Sequence, residues 1–379
     1  MRPKAMEYFD NLIPENMVKI KEQKEQGKNV VGYYCVFTPV ELIEASGAIP
    51  VGLCATKQDP IAAAEKDLPR NLCPLIKSSY GFAVTDKCPF FHFADVIMAE
   101  TTCDGKKKMY EYMKDIKPMM VLDIPNSSTY ELKREHWVHE LKRAKAFLEE
   151  KFDTQITEES LQKAIKAHNT ERTKLMELVS LNKHNPAPLK GQDLLKVIWA
   201  RQFQLDRETY LEKIQEIIDE VREFIKNDKS KDDRPRILVT GSPTGVGQEK
   251  TLNIIENQGG QVILQEACSG VKGLVKNVPE SDDSLTSIAE KYMELPCSCL
   301  SPNDGRFDLI GSLVEEYQID GVVDITLQAC HTYNIESKML KDFLQENYEI
   351  PLMQIETDYT DADTEQIKLR VDSFLEILK

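Results

Sequence analysis

Eight short apolar, β-branched runs alternate with helical patterns, four towards each end of the chain, and nothing else in the sequence constrains the fold as tightly. They cover 29–35, 49–54, 95–99 and 119–123, then 236–240, 261–265, 321–326 and 351–355. Apolar runs separated by amphipathic stretches are the mark of βαβ units and parallel sheets. Between the two groups, residues 131–227 are rich in Lys, Glu, Leu and Ala with long amphipathic periodicity, interrupted only at Asn185-Pro186-Ala187-Pro188. This predicts a helical region, and the polar run 227–235 reads as a linker. The expected fold is α/β: two doubly wound parallel-sheet lobes joined by a helical region. The lobes are expected over 1–128 and 235–379, with the helical region and linker over 129–234. Ligands of open parallel sheets sit beyond the carboxyl ends of the strands, so facing lobes create a cleft there.

Composition narrows the function classes. At 379 residues and 41% apolar, the chain is long enough for two or three domains with ordinary cores. With 63 acidic and 48 basic residues its net charge is −15, which repels phosphate backbones and argues against a nucleic-acid partner. The opening MRPKAMEYFDNL has no apolar signal region, and no stretch approaches the roughly 18 apolar residues of a membrane span. A cytoplasmic protein without a membrane span is expected.

In a reducing cytoplasm, clustered thiols are metal ligands or reactive groups more often than disulfides. There are nine cysteines, and they lack the paired C-x₂-C spacing of structural zinc sites. An iron–sulfur cluster, which takes thiolates from distant loops, fits better. Cys73 stands before Pro74 at a helix start, Cys103 lies between a strand and a helix expected over 107–113, and Cys330 follows the strand 321–326. Helix N-termini at strand ends favour thiolate through free N–H groups and the dipole. Cys88 lies between Cys73 and Cys103, Cys268 ends the strand 261–265, and Cys297 and Cys299 fall in a loop. These four form a second set of candidates. A free cysteine is also a small buried hydrophobe, and Cys35 and Cys54, which end apolar runs, read that way.

The segments Gly32-Tyr33-Tyr34-Cys35-Val36-Phe37-Thr38-Pro39-Val40-Glu41-Leu42, Leu72-Cys73-Pro74 and Glu100-Thr101-Thr102-Cys103-Asp104-Gly105-Lys106-Lys107, with Cys330 and its neighbours, carry a resemblance over nearly the whole chain. The sequence resembles the 2-hydroxyacyl-CoA dehydratase and benzoyl-CoA reductase family of iron–sulfur subunits. The resemblance implies that Cys73, Cys103 and Cys330 hold a [4Fe–4S] cluster in the cleft between the lobes. Asp86-Lys87-Cys88-Pro89, Glu266-Ala267-Cys268 and Pro296-Cys297-Ser298-Cys299 resemble the double-cubane branch of that family. Members of this branch are homodimers with an [8Fe–9S] centre that takes three cysteines per cubane. Cys73, Cys88, Cys103, Cys268 and Cys330 would supply five ligands, and Cys297 or Cys299 the sixth. By resemblance, the chain is expected to be a reductase of a small molecule, receiving low-potential electrons from a separate ATP-hydrolysing iron–sulfur activator protein. The enzymatic alternative is a 2-hydroxyacyl-CoA dehydratase subunit with a [4Fe–4S] cluster, acting through radical dehydration. The non-enzymatic alternative is an iron–sulfur electron carrier.

Glu100, Asp104, Glu266 and His331 are the proton-donor candidates beside these thiols. The segment 241–251 invites a phosphate-loop reading, but Glu249 stands where such a loop needs a glycine before its lysine. A strand-to-helix turn is expected there. His136, His139, His168 and His184 are expected on solvated helix faces, and His92 is as readily a packing residue as a site residue.

Overall fold

The computed structural model describes residues 1–125 and 129–379. All eight expected strands form. β1 (Val30–Tyr33), β2 (Ile49–Gly52), β3 (Val96–Glu100) and β4 (Met119–Leu122) make a sheet in the order β2-β1-β3-β4. β5 (Arg236–Gly241), β6 (Gln261–Glu266), β7 (Gly321–Leu327) and β8 (Leu352–Thr357) repeat that order as β6-β5-β7-β8. Every pairing is parallel, with Val31 opposite Val96 in the first sheet and Val239 opposite Val323 in the second. β5, β6 and β7 are buried at every position. Helices cover both faces of such sheets, which is why these strands are continuous apolar runs rather than alternating ones. In each sheet the chain winds from its first strand to one edge and then reverses across it. The reversal leaves a crevice at the carboxyl ends of β1 and β3, and another at those of β5 and β7.

The helical region contains helices Tyr130–Phe152, Glu158–Ser180, Gly191–Ala200 and Arg207–Asn227. It is interrupted more often than its periodicity suggests. Asp153 turns the chain in the left-handed conformation (φ 47°), and Thr157 then caps the next helix reciprocally with Ser160. Asp206 accepts from the Thr209 N–H and starts the last helix. Short polar side chains at caps stop helices without disturbing the apolar period on either side, so these two breaks are easily overlooked. The boundary expected at 128 lies outside the described residues.

Helix Met6–Glu25 packs on Gly191–Ala200, Val40–Ala45 on Glu158–Ser180, and Ser284–Met293 on Tyr130–Phe152. One apolar cluster runs from Phe9 and Tyr80 through Leu195 to Val323 and Ile355. Both sheets and the helical region thus share a core. A buried polar pin crosses the same three parts: Arg172 of the helical region pairs with Glu41, and the Tyr292 hydroxyl donates to the other Glu41 oxygen at 2.8 Å. Burial opposes the Glu41 charge, but Arg172, foremost, and His168 hold its carboxyl well below the usual range. Next to the pin, Arg207 forks onto Glu44 at 2.7 and 2.5 Å, and His168 faces the same carboxylate at 2.9 Å. His168 is therefore buried, not solvated, because its charged partners come from far along the chain. His92 goes the other way: it is exposed and pairs with Asp86 at 2.7 Å.

The carboxyl ends of the sheets face each other. Beyond β2, the Thr56 hydroxyl donates to the Val246 carbonyl at 3.3 Å, and a Cβ on Gly245 would come within 2.6 Å of the Thr56 side chain. The loop after β5 is a strand-to-helix turn leading into Lys250–Asn257. Gly241 takes φ +105°, and a Cβ there would meet the Ile325 carbonyl at 2.2 Å, so only glycine fits. Lys250 donates to the Thr360 carbonyl at 2.6 Å and pairs with Asp363, which commits its ammonium to the loop after β8. Among the described residues, no helix is long and apolar enough to cross a membrane.

Candidate functional site

Both crevices are lined with thiols. Cys35, Cys54 and Cys103 lie just beyond β1, β2 and β3, and Cys268 and Cys330 just beyond β6 and β7. Cys73, Cys88, Cys103 and Cys330 each occupy the residue before a helix, ahead of Pro74–Thr85, Pro89–Phe93, Asp104–Met113 and His331–Tyr348. Pro74 and Pro89 suit the first helical position because it needs no N–H donor. The N–H groups of Leu75 and Ile76 lie beside the Cys73 sulfur, although that of Ile76 also donates to the Cys73 carbonyl at 3.1 Å, and the N–H of Tyr333 lies beside Cys330.

The thiols divide into two groups. In the first, burial pushes Cys73 up to about 12, with the charges of Cys330 and then Cys103 adding to the effect. Burial also raises Cys330, whose sulfur accepts from the Ser242 hydroxyl and again feels Cys103. Cys73 and Cys103 from one lobe and Cys330 from the other thus lie near enough for their charges to act on one another. The second group contains Cys268, Cys297 and Cys299 from the far lobe and Cys35 from the near one. The Cys299 S–H donates to Cys297 and, against burial, brings its thiol down to about 6, helped by Lys272 and the Tyr333 hydroxyl. Cys299, as the donor, is held well above its ordinary value. Burial pushes Cys268 up to about 12, with Lys272 opposing and Cys297 adding. Cys35 is raised well above its ordinary value by burial, with Lys106 opposing and Cys268 and Cys297 adding.

Sequence reasoning reads Cys35 as a packed thiol, and the structure places it where Cys268 and Cys297 act on it. Cys88 stands apart from both groups. Burial raises its thiol against the N–H groups of Phe91 and Phe90, and the charge that adds to the effect is that of Asp86. Cys54 donates its S–H to the Tyr34 carbonyl at 2.7 Å, which suits a packed thiol.

The four proton-donor candidates have very different settings. Glu100 is fully buried. Its Oε1 accepts from the Thr38 hydroxyl, and its Oε2 has no hydrogen-bond partner among the described residues. Burial pushes its carboxyl up to about 7 despite Thr38 and Lys106. Glu266 is equally buried but committed: it accepts from Thr240 at 2.6 Å and lies between Lys272 at 3.2 Å and Arg306 at 3.3 Å. Asp104 is exposed and pairs with Lys107 at 2.7 Å, and His331 is exposed on the first turn of its helix. Glu266 Oε1 also lacks a hydrogen bond but faces the Lys272 ammonium, so of the four Glu100 alone combines burial with an oxygen that, among the described residues, has neither a hydrogen bond nor an ion pair.

A cluster held by thiolates needs several sulfurs at separate corners and positive charge to balance them. The residues fit that requirement. Cys35, Cys268, Cys299 and Cys330 keep part of their surface accessible although burial dominates their environment, as thiols at the floor of a cleft do. Among the described residues, no three His, Cys, Asp or Glu side chains converge as a chelate for a single ion, so the thiols are spread rather than focused. Two buried lysines stand among them. Lys272 donates to the Tyr333 hydroxyl at 2.6 Å, and Lys106 donates to the Tyr34 carbonyl at 3.0 Å.

Residues 35–378 match the family described as 2-hydroxyglutaryl-CoA dehydratase, D-component. An Escherichia coli (strain K12) protein, YjiM, provisionally described as a dehydratase subunit, is 44% identical over 376 residues, covering 99% of this chain and 98% of its own length. The (R)-phenyllactyl-CoA dehydratase beta subunit of Clostridium sporogenes is 23% identical, covering 97% and 96% of the two chains. A benzoyl-CoA reductase subunit of Thauera aromatica is 20% identical, covering 94% and 93%. The chain belongs to the 2-hydroxyglutaryl-CoA dehydratase D-component family, whose members include enzyme subunits of dehydratases and reductases.

Proposed function

We propose that this chain is an iron–sulfur reductase that takes low-potential electrons from a separate ATP-hydrolysing activator protein, works as a homodimer, and reduces a small molecule. The observation that carries this reading is the pair of thiol groups sharing one cleft, each drawing on both lobes. Cys73, Cys103 and Cys330 are the ligands of one cubane. Cys35, Cys268 and Cys297 are those of the second, with the Cys299 S–H supporting Cys297. This replaces Cys88 by Cys35, because Cys35 feels Cys268 and Cys297 whereas the charge acting on Cys88 is that of Asp86. The centre would supply electrons at a potential that ordinary donors do not reach, since many thiolates make it anionic. Glu100 holds the proton to be delivered, at the open Oε2 of a carboxyl kept partly protonated near neutral pH.

Anaerobic purification with iron and sulfide quantification tests the reading. About eight irons per chain supports the double cubane. About four would favour the second reading, a dehydratase subunit acting with a different partner subunit, which the dehydratase relatives favour. Reduction of acetylene should need the activator, ATP and a strong reductant together. Activity with reductant alone would remove the activator from the scheme.

A further inference from the structure

Lys106 and Lys291 are buried with no carboxylate in ion-pair range among the described residues, and their surroundings treat them oppositely. Lys291 sits 4.0 Å above the Tyr292 ring, between Arg172, Glu41 and Arg201. Burial and the arginines drive it towards the neutral amine. Lys106 is 9% exposed and reaches back from the first turn of helix Asp104–Met113, past the end of β3, to the Tyr34 carbonyl. Its ammonium is held at the carbonyl that precedes Cys35, and the helix that carries it begins directly after Cys103, which places it beside one thiol of each group. Glu100, the carboxyl that feels its charge, is a poor counter-ion because burial keeps it partly protonated near neutral pH. Lys272 differs again, since the Glu266, Arg306 and Glu336 network already balances it.

A buried ammonium is costly unless negative charge stands beside it. Around Lys106, that charge can come from Cys35, of the second thiol group, and Cys103, of the first. Cys54 is the less suited source because its S–H is spent on the same Tyr34 carbonyl that Lys106 bonds. We infer that Lys106 is the fixed counter-charge of the metal centre, a positioning residue that sets its reduction potential from a point between the two thiol groups. The inference rests on the iron–sulfur reading. It adds that the potential depends on one ammonium outside the ligand set.

The test is a redox titration of the anaerobic holoprotein, followed by electron paramagnetic resonance, for wild type, Lys106→Met and Lys106→Arg. Lys106→Met keeps the stem and removes the charge. It should shift the reduced-to-oxidised ratio at a given donor potential by at least about tenfold towards oxidised, about 59 mV more negative for a one-electron couple. Lys106→Arg should stay near wild type. Loss of iron in Lys106→Met with retention in Lys106→Arg would also support a charge role. An unchanged potential in Lys106→Met, or the same behaviour in both variants, overturns the inference and leaves the cluster reading intact. A wild-type protein without iron overturns both, so the two failures are distinguishable.

Discussion

The two thiol groups are built by opposite means. Cys73, Cys103 and Cys330 are placed by backbone: each precedes a helix, and Cys103 and Cys330 also come directly after strands. Cys268, Cys297, Cys299 and Cys35 depend on side chains. The Cys299 S–H, the Lys272 ammonium and the Tyr333 hydroxyl converge on one sulfur, and the Glu41, Arg172 and Tyr292 pin brackets the group. Glu41 lies on the helix that follows Cys35, and Tyr292 on the helix that leads to Cys297. Fold topology can deliver the first group by itself, whereas the second needs a network that single substitutions can break.

The largest effect that would test this contrast is in the first group. Cys73→Ser, Cys103→Ser and Cys330→Ser should each lose the cluster, while Cys54→Ser keeps it, as read by iron content and charge-transfer absorbance. Full iron in any of the three would remove that residue from the ligand set. Next, Cys35→Ser and Cys268→Ser should lower iron by up to about half, the share of one of two cubanes. Cys88→Ser should leave iron unchanged, and a matching loss there would restore Cys88 in place of Cys35.

A third, smaller effect separates network from topology. Glu41→Gln leaves Arg172 buried without its carboxylate, a change that costs about 3–5 kcal/mol. Because the folded Glu41 carboxyl is depressed, its contribution is complete above the ordinary carboxylate value of about 4.3 and is lost as pH falls below it. The variant should therefore show a flatter loss of stability below about pH 5 in denaturant titrations. It should also lose iron from the second group before the first, and equal loss from both would show that the pin serves the whole cleft. Tyr333→Phe should have the smallest effect. It removes one donor to Cys297 and one acceptor of Lys272, which keeps its ion pair with Glu266, so the thiolate absorbance of the metal-free protein should appear at higher pH than in wild type, with a smaller loss of stability than Glu41→Gln.

The strands are legible because each is an unbroken apolar run, and the first thiol group because Cys73 is followed by a proline and Cys103 and Cys330 by strand-to-helix junctions. The fold class and the family follow from these residues. The place of Cys35 beside the second thiol group is not legible: it ends an apolar run, and its neighbours Cys268 and Cys297 come from the other end of the chain. Glu266 and His168 escape a local reading for a related reason. Arg306 and Lys272, or Glu44 and Arg207, commit them through contacts that no local pattern announces.

Each group takes its proposed ligands two from one lobe and one from the other, in opposite senses, and this has a thermodynamic consequence. A centre bound in that way cross-links the lobes in both directions, so that closing the cleft and filling it become a single equilibrium. Anything that binds only the closed form stabilises it by mass action. Stripping the iron should then do more than silence the chemistry. Protease cleavage of the loops between the sheets should rise as the lobes part, and the melting temperature should track iron loading rather than sequence alone.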